Sequence, residues 1–537
     1  MIAYFCAEYA LDARLKSYAG GLGILAGDTV REMGDSGKPM IAIGLYYYKG
    51  YLAREYDWTT PEAANLQPVL MADGMPVYIE VPIGRTTVHA RAWEYTYKSV
   101  RVLLLDAMLH MNHPDDQKIS YYLYDQDIRI RLAQEMLLGI GGARLLKALH
   151  ITPDIYHMNE GHSAFLALET GSDDRIVFTN HTVIAEGNHM YKIELIREMF
   201  SGYFAEQPDG MSLDMFLSLG RCKYPGVFSL TELATRVSQR MNGVSKLHAE
   251  KLRALYPAVN VRAITNGIHL GTWCKSSDKI RLSGALNPAG VMQLHAENKE
   301  ALRLYIQHVT GVEWDQNTLI IGWARRFIQY KRPLAIFGDI VRLYTILKSA
   351  PVRVGIVISG IPHPKDAWAN EALNILLSSI LDKFKGQIVY IPNYSQHVAK
   401  IIVPGCDVWV NTPIVGLEAC GTSGMKAALN GGLQLSTKDG WLAEVAMRPI
   451  GWELDDADIS RSFYEILEHE IIPQYAAHVR GVTDDKWLAR MCAAHTLIVE
   501  SFSTVRMIRE YESIMWSEKE SGANVEDAAH PVVSAAV

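Results

Sequence analysis

The stretch that decides the fold runs Glu418-Ala-Cys-Gly-Thr-Ser-Gly-Met-Lys-Ala-Ala-Leu-Asn430. Gly421 and Gly424 free the backbone to turn tightly, and Thr422 and Ser423 can cap a helix that begins directly after them. The first N–H groups of a helix have no partner inside it, so such a start forms a cradle for a phosphate group. The stretch therefore predicts a glycine-rich turn from a strand into a helix.

Lys426 lies in the first turn of that expected helix. The positive end of the helix dipole disfavours its ammonium, so the amine is easier to deprotonate. A phosphate cradle beside such a lysine suits a phosphorylated aldehyde, which is how pyridoxal phosphate is carried. The alternative is a glycine-rich turn with a solvated lysine, and the short run from Gly421 to Lys426 does not decide between the two.

The thirteen residues together are far more specific, and they resemble the cofactor-attachment signature of the α-glucan phosphorylases. Lys426 matches the pyridoxal phosphate lysine of that family. The other matching positions are Glu418, Gly421, Met425, Leu429 and Asn430. Cys420 stands where many members have serine. The resemblance implies an α/β fold of GT-B architecture, in which two Rossmann-like, doubly wound domains face each other across a central cleft.

Length, charge and cysteine usage exclude several classes of protein. A chain of 537 residues is too long for one core, so we expect two domains. The net charge of −7 disfavours a nucleic-acid or anionic-membrane surface. Six scattered cysteines without a CxxC pair indicate reduced thiols and no metal site. With no basic n-region at Met1–Glu8 and no apolar run near ~18 residues, we expect a soluble cytoplasmic protein.

The first half of the chain reads as alternating strands and helices. A strand ending near Glu8 precedes the glycine-rich loop Ser17–Asp28, which opens a helix to about Gly37. Residues 68–105 alternate apolar and polar residues and predict an antiparallel excursion. Residues 128–149 have helical spacing. Ser229 and Glu232 form a capping box, from which we expect a helix with apolar residues through 244 on one face.

Two predicted strands end in the same kind of polar residues. The first runs from Asp154 into Asn159, and the second from Arg175 into Asn180 and His181. A lone histidine is more often structural, but open α/β sheets bind ligands at the carboxyl ends of their parallel strands. The resemblance to the phosphorylases puts His181 at the sugar.

The second half of the chain repeats strand and helix. The expected strands, Leu319–Trp323, Val354–Ile358, Gln387–Ile391 and Asp407–Asn411, are continuous apolar runs, typical of a parallel sheet buried on both faces. A last helix is expected near residues 485–517. We therefore predict an N-terminal domain at 1–268, a cofactor-bearing domain at 269–490, a helix returning to the first domain at 491–517, and a disordered tail at 518–537.

A dense basic run follows the first of these strands. Arg325, Arg326 and Lys331 lie within seven residues directly after Trp323-Ala324. Elsewhere such a run is a solvated face, but at the carboxyl end of a buried strand it becomes an anion site. It resembles the phosphorylase motif that binds both phosphates, with arginine where many members have lysine at Arg325.

The resemblance implies an enzyme, a glycosyltransferase that cleaves α-1,4-glucan or maltodextrin with inorganic phosphate, reversibly and with retention, to give α-glucose 1-phosphate. The residues implied for the glucosyl unit are Glu418, Asn266 and His181. Those implied for the substrate phosphate are Arg326, Lys331 and the amide of Gly21. Those implied for pyridoxal phosphate are Lys426, Arg325, Gly421, Thr422, Ser423, Tyr394 and Trp273.

Three departures from the family pattern qualify this interpretation. The chain begins almost at the glycine loop, so we expect a short form without the N-terminal regulatory region. Ile361 stands where lysine is usual, and residues 110–125 show no acidic gating loop. The alternatives are a glycogen-synthase-type transferase that uses a nucleotide sugar and a weakened glucan-binding homologue. A homodimer fits the family, but the sequence leaves oligomeric state, glucan length and direction open.

Overall fold

The computed structural model describes residues 1–51, 58–171, 174–182, 189–206, 210–363 and 366–517. They form two compact units. Unit 1 holds residues 1–244 and 249–264 and the described residues from 508 onward, and unit 2 holds 245–248 and 265–507. The domain boundaries at 268 and 490 stay a prediction, and the tail 518–537 lies outside the described residues. Within those ranges no helix is long and apolar enough to cross a membrane.

Unit 1 is built on one large sheet. Its strands, with the small pair β9 and β10, are β1 (Ile2–Phe5), β2 (Met40–Leu45), β3 (Gln67–Pro68), β4 (Tyr78–Ile83), β5 (Thr86–Tyr97), β6 (Val100–Asp106), β7 (Ile155–Asn159), β8 (Ile176–Asn180), β9 (Met190–Lys192), β10 (Val227–Ser229), β11 (Arg240–Gly243) and β12 (Val261–Ala263). The sheet order is β12-β11-β8-β7-β1-β2-β6-β5-β3, with β4 also on β5. Strand β5 pairs antiparallel with β3, β4 and β6, which confirms the predicted excursion, and the other pairs in this sheet are parallel.

Helices connect these strands. They are α1 (Gly21–Asp35), α2 (Pro114–Gln117), α3 (Ile128–Met136), α4 (Gly142–Ala148), α5 (Ile193–Met199), α6 (Ser201–Ala205), α7 (Leu213–Leu219), α8 (Leu230–Val237) and α9 (Lys246–Leu255). A π-helical turn at Leu137–Gly141 joins α3 to α4, so the helix predicted over 128–149 is continuous.

The helix expected from the capping box is shorter than predicted. The Ser229 hydroxyl does accept from the Glu232 N–H (3.3 Å), but α8 ends at Val237 and Met241 lies in strand β11. Leu233 and Met241 are both buried, so their spacing satisfied a helical period although they belong to different elements. Short apolar patterns do not separate a helix from a helix followed by a strand, and pairing of β11 with β8 and β12 decides the outcome.

Unit 2 has a six-stranded sheet in which every pair is parallel. Its strands are β13 (Leu319–Ala324), β14 (Val354–Ser359), β15 (Ile388–Ile391), β16 (Val408–Asn411), β17 (Leu433–Ser436) and β18 (Gly451–Glu453). The order is β15-β14-β13-β16-β17-β18. The four predicted strands are confirmed, and β17 and β18 were not predicted.

The helices of unit 2 follow and flank these strands. They are α10 (Leu270–Trp273), α11 (Ser277–Ser283), α12 (Pro288–Thr310), α13 (Ile340–Ser349), α14 (Ala367–Ile375), α15 (Leu381–Lys383), α16 (Gln396–Gly405), α17 (Ser423–Leu429), α18 (Ile459–Ile466), α19 (Ile472–Val479), α20 (Lys486–Ser501) and α21 (Thr504–Glu510). The single helix expected at 485–517 is thus broken at Phe502, because Ser503 pairs with Ile268.

Both sheets reverse their strand order once. In unit 2 the reversal lies between β13 and β16, and in unit 1 between β1 and β7. Parallel strands are joined by right-handed crossovers, so a reversal sends the helices of the two halves to opposite faces. This is the doubly wound, Rossmann-like arrangement that the sequence predicted, and it places a ligand crevice at the carboxyl ends of the strands beside each reversal.

Candidate functional site

The reversal in unit 2 carries a buried arginine. Arg325 follows β13 directly, and its Nη2 donates to Oδ1 of Asn411, the last residue of β16, and to the Ser423 hydroxyl (3.2 Å). Its Nη1 donates to the Glu418 carboxylate (3.2 Å). The backbone is equally close, because a side chain on Gly360 (φ +153°) would lie 2.0 Å from the Arg325 carbonyl oxygen. Two chain segments, the end of β16 and the stretch from Glu418 to Ser423, therefore converge on this guanidinium.

Glu418 is the anion at the centre of this arrangement. It accepts from Lys331 Nζ (3.0 Å) as well as from Arg325, and its own N–H donates to Asp439 (2.9 Å). Burial alone would raise the pKa of the Glu418 carboxyl, but Lys331, Arg325 and Arg326 outweigh it and the pKa is lowered. Glu418 is therefore ionised and shared between two cations.

For the pKa of Lys331, unlike that of Glu418, the effect of burial is larger than the effect of the opposite charge nearby. Burial lowers the pKa of its ammonium to about 8, although Glu418 raises it, and Arg325 and Arg326 lower it further. Arg326 is exposed, and its charge acts on both Lys331 and Glu418. Three cations thus surround one carboxylate, and the cluster keeps an excess of positive charge that attracts anions.

The signature stretch forms a turn and then α17. Gly421 adopts a left-handed conformation (φ +80°), which favours glycine, and Thr422 occupies the position before the helix without a side-chain capping bond. The Ser423 hydroxyl accepts from both Arg325 and Trp409 (3.3 Å), so its own hydrogen is used in neither bond. Lys426 is the fourth residue of α17, so it lies where the first turn ends and not within that turn as expected.

Lys426 is buried and faces an aromatic ring. Its Nζ lies 3.8 Å from the centre of the Trp273 indole, and Trp273 itself is 3% exposed. Asn430 joins the two segments, since its Nδ2 donates to the carbonyl oxygens of Lys426 (2.8 Å) and Trp273 (2.9 Å). The lysine and the indole are thus held in direct contact, and one side chain joins their two backbone segments.

The two further predicted site residues of unit 2 are Asn266 and Tyr394. Asn266 is buried, its backbone hydrogen-bonds to the Cys420 thiol, and its side-chain oxygen has no partner among the described residues. Burial raises the pKa of that thiol, so Cys420 is a neutral packing residue. Tyr394 is half-buried beyond β15.

Unit 1 has its own polar edge at the reversal of its sheet. His181, just after β8, pairs through Nε2 with Oδ1 of Asn159 at the end of β7 (2.7 Å). The backbone N–H of His181 donates to the Glu160 carboxylate (2.9 Å), which also accepts from the Thr182 hydroxyl (3.1 Å). Burial raises the pKa of Glu160, and these hydrogen bonds lower it. The carboxyl-edge position predicted for His181 is where the sheet puts it.

The glycine loop lies at the same edge. Glu8, buried after β1, accepts from the N–H groups of Ala19 (2.7 Å) and Gly20 (3.0 Å), and from the hydroxyl of Tyr124 (2.6 Å). Gly21 is exposed and begins α1, whose first turn has no acidic residue and no side-chain cap. The loop is therefore tied down just before Gly21.

The structure brings together Glu418, Arg325, Lys331 and Ser423, and separately Lys426 with Trp273. Sequence reasoning missed Asn411 and Asp439. Asn411 could have been found, because it ends a predicted strand beside Arg325's own strand, whereas nothing in the sequence pointed to Asp439. Among the described residues no group of three or more histidine, cysteine or acidic side chains could hold a metal ion.

The residues around Lys426 fit a phosphorylated aromatic aldehyde. Nε of Arg325 is buried and bonds to no atom of the described residues, so one guanidinium donor remains for an anion. The Ser423 hydrogen is a second donor, and the Trp273 indole offers a flat face to an aromatic ring. A primary amine, phosphate donors and an aromatic wall are the groups that pyridoxal phosphate needs.

Comparisons with known proteins show which proteins this chain is similar to. The family model described as Phosphorylase, carbohydrate phosphorylase, matches residues 283–453. The chain is 34% identical to the maltodextrin phosphorylase of Thermococcus litoralis, over 96% of this chain and 70% of that protein. It is 30% identical to the glycogen phosphorylases of Aquifex aeolicus (97% of this chain, 87% of that protein) and Mycobacterium bovis (95% and 70%).

Proposed function

The chain belongs to the carbohydrate phosphorylase family, and we propose that it is an α-1,4-glucan phosphorylase that uses pyridoxal phosphate. The reaction would take a glucosyl unit from the end of a glucan or maltodextrin to inorganic phosphate. Its product would be α-glucose 1-phosphate, with the anomeric configuration retained and the reaction reversible. The observation that carries the proposal is the buried carboxylate Glu418, shared by Arg325 and Lys331 beside the helix of Lys426.

We assign the cofactor to residues of unit 2. Lys426 would hold its aldehyde carbon, and Trp273 and Tyr394 would line its ring. Arg325 through its unpaired Nε, with Thr422, Ser423 and the turn at Gly421, would hold its phosphate. When bound, pyridoxal phosphate supplies a phosphate group that can exchange a proton with a neighbouring phosphate.

We assign the substrate phosphate to the other cations of the cluster. Two phosphates about 6 Å apart repel by about 3 kcal/mol per pair of unit charges at an effective dielectric near 20, and dianions repel several-fold more. Lys331 and the exposed Arg326 offset that repulsion, and the Gly21 amide adds a donor. The same charges favour the ionised substrate phosphate and orient it for attack.

We assign the glucosyl unit to Glu418, Asn266 and His181. Ionised Glu418 can accept from a sugar hydroxyl, and the Asn266 side-chain oxygen, which lacks a partner among the described residues, can accept another. The ring of His181 is held by Asn159 and its backbone N–H by Glu160, so the ring orientation is fixed before a sugar arrives. Phosphate gives its proton to the glycosidic oxygen as that bond breaks, and then bonds to the anomeric carbon on the same face.

We propose a cytoplasmic location. None of the six cysteines, all in the described part of the chain, forms a disulfide, which suits a reducing compartment.

The test is phosphate-dependent release of glucose 1-phosphate from maltodextrin by the purified protein. We expect product only when phosphate and pyridoxal phosphate are both present, and no product from Lys426→Ala. The spectrum of the same preparation is read for the near-ultraviolet pyridoxal band. Activity with a nucleotide sugar and no such band would instead favour the glycogen-synthase-type transferase, and glucan binding without turnover would favour the weakened homologue.

A further inference from the structure

Helix α17 is too short to be stable alone. It has seven residues, and isolated helices need about 12–15 residues to be even marginal in water. Its position must come from packing and from side chains that bond its free backbone groups. Three buried side chains do this at its carboxyl end, and they come from two other helices and from the residue that follows α17.

Two of the three are histidines. His495 on α20 donates through Nδ1 to the Leu429 carbonyl (2.6 Å) and accepts the Leu286 N–H at Nε2 (3.1 Å). Burial lowers the pKa of His495, although its bond to Leu429 raises it, so the ring is neutral as these bonds require. His295 on α12 bonds through Nδ1 to the carbonyl of Asn430 (2.8 Å).

His295 is itself held in place. Its Nε2 bonds to Oδ1 of Asp407 (3.0 Å), and Asp407 also pairs with Lys299 (2.7 Å). Burial raises the pKa of the Asp407 carboxyl, but Lys299 and His295 outweigh it and the pKa is lowered. These two bonds, to the Asn430 carbonyl and to Asp407, fix the orientation of the His295 ring.

The third side chain is Asn430, which differs from the histidines because it reaches two segments of the site at once. Its amide donates to the carbonyl oxygens of Lys426 (2.8 Å) and Trp273 (2.9 Å), and its Oδ1 accepts from Asn298 (3.1 Å). It is 1% exposed, so water cannot replace these bonds.

We infer that Asn430 is a positioning residue for the cofactor: it fixes the spacing between the Lys426 amine and the Trp273 indole before pyridoxal phosphate binds. The inference rests on the proposed function. A cofactor that must bond to the amine and lie against the ring binds more weakly when either wall can move, because the binding energy then has to order the site as well. Asn430 joins the backbones of both walls through one amide group.

The decisive variant is Asn430→Asp, which keeps the size of the side chain but points a carboxylate oxygen at two carbonyl oxygens. The matched control is Asn298→Ala, which removes only the bond to Oδ1 and leaves both amide donors in place. Asn430→Ser, whose hydroxyl can donate to one carbonyl, serves as a milder variant if the aspartate variant does not fold.

The measurement is the dissociation constant of pyridoxal phosphate, from absorbance titrations of cofactor-free protein, together with the melting temperature of that protein. We expect at least tenfold weaker binding for Asn430→Asp, severalfold weaker for Asn430→Ser, and a change within threefold for Asn298→Ala. A merely structural role would lower the melting temperature and leave the dissociation constant of the folded protein unchanged.

The outcomes separate this inference from the function on which it rests. Parent-like affinity in both Asn430 variants, with a parent protein that binds the cofactor, overturns the positioning role alone. A loss of affinity in Asn298→Ala as large as in Asn430→Asp also overturns it, because the amide donors would then not be what matters. A parent protein that binds no pyridoxal phosphate overturns the proposed function, and this inference with it.

Discussion

The amine of Lys426 lies 3.8 Å from the centre of the Trp273 indole ring. A cation over an aromatic face is stabilised by about 0.5–2 kcal/mol, so this contact favours the charged amine. The helix dipole, on which the sequence argument relied, favours the neutral amine instead. The indole is therefore expected to hold the lysine in a resting position, and an incoming aromatic ring that covers Trp273 would displace the charge and release the amine.

If Lys426 carries the cofactor, Lys426→Ala should purify without the pyridoxal absorbance band and without phosphorolysis. Lys400→Ala is the matched control, because the Lys400 amine lies 6.0 Å from the same Trp273 ring but the residue is exposed. Mass spectrometry after borohydride treatment should place the adduct on the peptide with Lys426. An adduct on the Lys400 peptide would contradict the assignment.

Arg326→Ala should keep the cofactor and lose turnover. A charge-assisted contact to phosphate in a partly desolvated site is worth about 3 kcal/mol, which corresponds to roughly 10²-fold in kcat/KM. Arg461→Ala, at an arginine that pairs only with acidic surface residues in the described part of the chain, should change activity by less than about twofold. Equal effects of the two substitutions would mean that Arg326 belongs to a solvated face.

The pH dependence of phosphate binding should report Lys331. Burial lowers the pKa of its ammonium to about 8, so the charge is present below that pH and is lost above it. We expect the KM for phosphate to rise above pH about 8, by up to tenfold per pH unit. Arginine stays charged throughout, so Lys331→Arg should remove this rise. The measurement is the initial rate with varied phosphate at several pH values. If the KM for phosphate still rises above pH about 8 in Lys331→Arg, Lys331 is not the group that causes the rise.

Unit 1 should lose stability in acid through His157. Burial lowers the pKa of its ring to about 3, and the neutral ring accepts the Trp516 indole N–H at Nδ1 (3.2 Å) and bonds to the Thr179 hydroxyl (2.8 Å). The unfolded chain binds the proton at about pH 6.5, so the folded state loses about 1.4 kcal/mol per pH unit below that value, down to about pH 3. Urea unfolding followed by tryptophan fluorescence across this range measures the slope.

The substitution that checks this slope is His157→Asn. It should lower stability at neutral pH and reduce the slope in acid, whereas His469→Asn, at a 70%-exposed ring, should change neither. A slope that survives in the His157 variant would assign the acid sensitivity to other groups.

Much of the fold could be predicted because the strands of both sheets are long apolar runs. Leu319–Ala324 and Val354–Ser359 are buried throughout, so sequence and structure agree on them. Strand β17 (Leu433–Ser436) was missed because it has only four residues and a polar Gln434 inside it. The end of α8 was missed because tertiary pairing, not local spacing, fixes where strand β11 begins.

The sequence predicted which chemical groups form the site, but it did not predict which of these groups contact one another. The signature named Lys426 and Glu418, and the basic run after β13 named Arg325 and Lys331. The bonds of Arg325 to Asn411 and Ser423 join segments 86 and 98 residues away, so no local spacing encodes them. The indole beside Lys426 likewise comes from 153 residues earlier — a distance along the chain that only the folded sheet can close.

The chain leaves unit 1 after residue 264 and returns to it only at residue 508. On returning, Trp516 bonds to His157 of β7, and the backbone at Ser517 accepts from Arg175 and Arg240 beside β8 and β11. A ribosome needs roughly 10–50 s to make residues 265–507, at about 5–20 residues per second. Throughout that interval unit 1 lacks the segment that bonds to residues in or beside three of its strands, whereas unit 2 is complete as soon as residue 507 has been added. Synthesis therefore completes unit 2 before unit 1, and a chain that stops before residue 508 lacks the bonds that the returning segment makes to unit 1.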